Sequence, residues 1–121
     1  MRKISILAVL LVLFTSPAFA GEADVIDVKV VKQSANTYRF DVTLRHGDTG
    51  WKHFANSWSV LGPDGKLLGK RTLYHPHVNE QPFTRSLSGV KIPTEINEVT
   101  IRAHDSVHEI GGREMLVKLP K

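Results

Sequence analysis

Tyr38-Arg39-Phe40-Asp41-Val42-Thr43-Leu44-Arg45 alternates without a fault, apolar at the even positions and polar or charged at the odd ones. Successive side chains of an extended chain point to opposite faces, so this run predicts an antiparallel strand with one face buried and the other in water. Working outward, Ile26, Val28 and Val30 alternate with Asp27 and Lys29, and Ser34-Ala35-Asn36 breaks the pattern before Tyr38. The two strands are expected to form a hairpin. Phe54, Trp58 and Val60 share one face of a third segment that stops at Gly62-Pro63-Asp64-Gly65, a strong turn signal. Leu67 to Leu73 is the expected return strand. Phe83 to Val90 is a further candidate, ended by Ile92-Pro93, where proline lacks the ladder donor. Val99, Ile101 and Ala103 alternate with Thr100 and Arg102, and Met115, Val117 and Leu119 with Leu116 and Lys118.

No window carries a sustained helical period. Seven short strands with regular turn signals, and one large aromatic, Trp58, anchoring the third, predict an all-β fold: an immunoglobulin-like two-sheet antiparallel sandwich of about seven strands. An open barrel of similar strand count is the alternative. Without repeats, low-complexity tracts or linkers, residues 21–121 read as a single domain. Leu68 and Leu116, on outward phases, mark the edges where a second copy would pair.

The chain opens with Arg2 and Lys3, a run from Ile4 to Phe14 that is apolar except for Ser5, and Ala18-Phe19-Ala20. That order is read by a signal peptidase, so residues 1–20 are expected to be a cleaved signal peptide. The run is 11 residues, whereas crossing the hydrocarbon core takes roughly 20, so no membrane insertion is expected. With no cysteine for lipid attachment, the expected location is a bacterial periplasm, or secretion. Removing Arg2 and Lys3 leaves 14 basic against 12 acidic side chains, a net +2. A balance so near neutral argues against nucleic acid, which calls for a basic stripe. In an oxidising compartment a chain without disulfides must be held by its core alone.

All six histidines, His46, His53, His75, His77, His104 and His108, lie in the exported part. If seven strands alternate in direction, all of them map to one end of the sandwich. The opposite end, Gln33 to Asn36, Gly62 to Gly65 and Lys91 to Asn97, has none. This assignment depends on the strand at Phe83 to Val90. The same end collects Asp48, Trp51, Glu80, Asp105 and Glu109. Immunoglobulin-like domains commonly bind with loops at one end.

Neutral imidazole is the commonest ligand for zinc and copper(II), so the six histidines are candidate metal ligands, with Glu80, Asp105 and Trp51 in support. In His75-Pro76-His77 the spacing puts both rings on one side of an extended segment, and His104 and His108 meet if Asp105 to Val107 make a single turn. The lack of cysteine, and of methionine beyond residue 20 except Met115, disfavours copper(I) and iron–sulfur sites and leaves copper(II), zinc or nickel. Taken singly, each histidine reads more simply as a solvent-exposed or hydrogen-bonding loop residue than as a ligand. His104-Asp105-Ser106-Val107-His108 superficially matches a helical zinc-protease motif, but it follows a strand and precedes Gly111-Gly112, which excludes the required helix. No serine sits in a G-x-S-x-G elbow.

In size and strand plan the chain is similar to small periplasmic immunoglobulin-like binding domains, including copper-handling proteins and subunits that present loops to a partner. That likeness is one of architecture and transfers no residue. The expected role is a non-enzymatic binding module for a divalent metal ion. The alternative is an exported protein partner, docked on the same loops in a pH-responsive way. A metal-dependent enzyme would need an open coordination position and a substrate pocket.

Overall fold

The computed structural model describes residues 21–121; the expected signal peptide, residues 1–20, lies outside the described residues. Seven strands are present: β1 (Asp24–Ser34), β2 (Thr37–Arg45), β3 (Ala55–Leu61), β4 (Leu67–Thr72), β5 (Phe83–Lys91), β6 (Glu98–Asp105) and β7 (Met115–Lys118). They form two antiparallel sheets, β1-β2-β5 and β4-β3-β6-β7. The fold is thus an all-β two-sheet sandwich. The crossover that puts β5 beside β2 and β6 beside β3 is the pairing of an immunoglobulin-like domain.

Alternation builds the core as expected. Tyr38, Phe40, Val42 and Leu44 of β2 and Val99, Ile101 and Ala103 of β6 are all buried, and they meet Trp58 and Val60 of β3 between the sheets. Full burial of one such side chain contributes about 1.5–3 kcal/mol.

Three bulges alter the expected phases. In β1 the register slips between Val25 and Asp27, so Ala23 and Val25 enter the core with less than 3 % exposure and Ile26 does not lead the buried face. In β3 the register against β6 slips between Ala55 and Ser57. A bulge adds one residue and flips the faces beyond it, so Ala55, not Phe54, joins Trp58 in the core, and Phe54 packs edge-on against Trp51 at 5.8 Å. Between β3 and β4 the slip lies at Val60/Leu61, so Leu67 is exposed while Leu68 packs against the core. Leu68 therefore lies on the inward phase, not the outward one expected. Leu116 is exposed, as its phase predicts.

Candidate metal centre

The inward phase of two strands does not stop at its last apolar residue. After Leu44 the next inward position is His46, one residue past the end of β2, and after Ala103 the next inward position of β6 is Asp105. They come from opposite sheets, and both side chains are wholly buried, so an imidazole and a carboxylate face each other where hydrophobic side chains would ordinarily close the sandwich. His46 Nε2 stands 3.3 Å from Asp105 Oδ2. Burying such groups unpaired is expensive, so their neighbours matter.

His46 Nδ1 is 2.5 Å from Asp48 Oδ1. Asp48 Oδ1 also accepts from the Ala55 backbone N–H at 3.2 Å and Oδ2 from that of His77 at 2.7 Å. Gln81 ties the same loops together, accepting from His46 N–H at 3.0 Å and donating to the His77 carbonyl at 2.9 Å. Asp105 closes the β6–β7 turn. Its backbone exchanges hydrogen bonds with Glu109 at 2.9 and 3.1 Å, and its Oδ1 accepts from the N–H groups of Val107 and His108. Glu109 completes the turn in the left-handed region, at φ 62°.

His53 enters from the β2–β3 loop, which is folded back by hydrogen bonds between Thr49 N–H and His53 O and between His53 N–H and Gly50 O. Its Nε2 lies 3.6 Å from Asp105 Oδ1, and its ring centroid 4.8 Å from that of His46. One ligand atom each from His46, His53 and Asp105 lie within 4.8 Å of one another. Ligand atoms sharing a tetrahedral ion stand about 3.3–3.5 Å apart when each bond is near 2.0–2.1 Å. The two imidazole-to-carboxylate separations are close to that but run to different oxygens of Asp105, so this group could hold a metal ion once its ligand atoms draw together. Both Nε2 atoms are buried without a hydrogen-bond partner. Nδ1 of His46 donates to the Asp48 carboxylate, which orients the ring and leaves Nε2 turned towards Asp105, the arrangement usual for metal-binding histidine.

The charges point the same way. Burial works against ionising Asp48 and Asp105. It is outweighed at Asp48 by the His46 ring and the His77 and Ala55 N–H groups, and at Asp105 by the His108 and Val107 N–H groups, so both stay below the usual carboxylate range. Burial also opposes charge on His46, yet its hydrogen bond to Asp48 and the negative charges of Asp48 and Asp105 hold its pKa above the ordinary histidine value.

The remaining sequence candidates separate into three groups. His108 borders the centre, with Nδ1 3.2 Å from Asp105 Oδ2 and its ring 4.8 Å from that of His53. His75 and His77 lie together, 4.8 Å between rings, with His77 Nδ1 3.9 Å from Asp48 Oδ2. His104 and Glu80 stand apart. His104 is on the outward phase of β6 and its Nδ1 meets Asn56 Oδ1 at 2.5 Å, so the expected His104–His108 pair does not form: adjacent strand positions face opposite ways. Glu80 binds Arg85 at 3.0 Å. Trp51 is 69 % exposed and rests on Phe54. Sequence reasoning underweighted Asp48, the anchor of His46, and treated Asp105 as a supporting loop residue when it is the last core position of β6.

No family model and no solved structure matches the chain. It is similar to a protein of Halomicrobium mukohataei described as "Putative lipoprotein", 38% identical over 103 residues, which are 85% of this chain and 50% of that relative. The chain therefore spans about half that relative's length.

Proposed function

We propose that this protein is an exported, non-enzymatic binding module whose residues 21–121 hold a divalent transition metal between His46, His53 and Asp105. The observation that carries this reading is the pair of buried, unpartnered Nε2 atoms facing one ionised carboxylate. Two imidazoles and a carboxylate suit zinc, copper(II) or nickel, and with open positions also iron(II). A cavity of about 620 Å³ lies at the opposite end, lined by residues including Lys32, Tyr38, Ile96 and Lys121, remote from the histidines. Export is supported by residues 1–20 and by the name of the Halomicrobium relative. No helix among the described residues is long and apolar enough to cross a membrane. The test is equilibrium dialysis of tag-free protein against zinc and copper(II): wild type retains metal, and His53→Ala loses the tight ion. Retention unchanged by that substitution would overturn the assignment.

One observation favours the second reading, docking of an exported protein. Five of eight large, exposed apolar side chains among the described residues, Trp51, Tyr74, Val78, Val107 and Ile110, lie in the three loops at the histidine end. Concentrated exposed apolar surface marks interaction sites. This reading predicts metal-independent capture of an exported partner that changes between pH 5 and 7 and weakens in Trp51→Ala; capture indifferent to that change would dismiss it.

A further inference from the structure

His77 is 5 % exposed, its ring is stacked on Phe83 at 3.9 Å, and both of its ring nitrogens are buried with no hydrogen-bond partner. A buried polar atom left unsatisfied in this way destabilises the fold. A position kept at such cost calls for a ligand. The His77 backbone is clamped at its N–H by Asp48 and at its carbonyl by Gln81, and its ring is held against Phe83 by stacking. The neighbour beside it is His75, which is exposed. His75 Nδ1 lies 3.3 Å from the Pro76 carbonyl, a contact that places the proton on Nδ1 and the lone pair on Nε2. Pro76 between them restricts the backbone. Two imidazoles bound to one ion through nitrogens about 2.0–2.1 Å away have ring centroids roughly 4.5–5 Å apart. The His75–His77 separation of 4.8 Å matches that before any ion arrives.

We infer that His75 and His77 form a second, outer site for a divalent transition metal, with water completing its shell. The inference takes its ligand class from the proposed function but stands on separate residues. Glu80 is engaged by Arg85, so the outer site offers two neutral nitrogens and no close carboxylate of its own. Such a donor set favours copper(II) over zinc by the usual order of divalent affinities. With fewer protein ligands than the centre, it binds more weakly and exchanges more freely. Asp48 links the two sites, one oxygen on His46 and the other facing His77. Two ions per chain suit a protein that handles metal as cargo.

The test is titration of the tag-free protein with copper(II), followed by electron paramagnetic resonance. The expected result is two ions per chain, the weaker with a two-nitrogen signature. His75→Ala, a change at an exposed side chain, removes the weaker ion and leaves the tighter one unchanged. His77→Phe, which keeps an aromatic ring on Phe83, does the same. One ion per wild-type chain, or a second ion that survives both substitutions, overturns the outer site and leaves the centre standing. No copper bound at all overturns both.

Discussion

The two ends of the sandwich are closed in different ways. At one end the strands and connections finish on Tyr38, Leu61, Ile92 and Val99, all buried and apolar. At the other the corresponding places are taken by His46, Asp48, His77 and Asp105, all buried and polar. The apolar end stabilises the fold by removing hydrocarbon from water. The polar end holds ionisable groups that are only partly compensated by one another, with four ring nitrogens among His46, His53 and His77 left without partners. A fold gains little stability from such an arrangement, and a buried ion network is weak evidence for stability. Its presence at one end alone marks that end as the place where something other than folding is served.

The comparison can be broken at its strongest point by removing Asp105. Asp105→Ala deletes the carboxylate facing both histidines and the acceptor for the Val107 and His108 N–H groups. The expected outcome is complete loss of metal binding and a destabilisation of about 3–5 kcal/mol, typical of breaking a buried charge network, measured by chemical denaturation of the metal-free protein. Ile92→Ala at the apolar end should cost about 2–5 kcal/mol through the cavity left, yet leave metal affinity unchanged under conditions where the variant is folded. If Ile92→Ala weakened metal binding as much as Asp105→Ala, the two ends would not be functionally distinct.

Asp48→Asn sharpens the account further, since it removes the charge that orients His46 but no proposed ligand. Metal affinity should fall about 10- to 100-fold, the usual effect of losing such a partner, measured by competition with a chelator. The metal-free protein should also respond to pH in a defined direction. His46 has a raised pKa, so its favourable charge is fully present below about 6.5 and is lost as pH rises through its folded value. Asp48 and Asp105 have lowered pKa values, so their contribution is present above about 3.9 and is lost as pH falls through their folded values. Burial holds the His77 pKa below the ordinary histidine value, so its contribution rises over the same range and opposes that of His46. With that ring removed in His77→Phe, the melting temperature without metal should drop from pH 6 to pH 8, while the zinc-saturated protein should not follow it. A rise over that range in the metal-free variant would contradict the His46 assignment. The smallest effect is expected from His104→Ala, which should alter stability by no more than about 0.5 kcal/mol and leave metal affinity intact.

How much of this was legible in the sequence follows from parity. The run from Tyr38 to Leu44 announced its strand, and extending the same alternation one step further places His46 inside. The run Val99-Ile101-Ala103 likewise places Asp105 inside and His104 outside, on the face away from the turn that carries His108. The one-ended gathering of histidines followed from strand order, although lying at one end did not bring His104 to the centre. What alternation cannot reveal is where it resets. The bulges near Val25, Ala55 and Val60 are single extra residues with no distinctive composition. They moved Val25 and Ala55 into the core and exchanged the roles of Leu67 and Leu68. Nor could spacing show that Asp48, two residues after His46, folds back on its ring, because that contact depends on the N–H groups of Ala55 and His77 arriving from elsewhere.

The most direct test of the metal centre is an anomalous difference map from crystals of the protein grown with zinc, recorded above and below the zinc absorption edge. The account predicts a peak about 2.0–2.2 Å from His46 Nε2, His53 Nε2 and an Asp105 carboxylate oxygen. A map with no peak there, or with zinc confined to His75 and His77 at the surface, would contradict it.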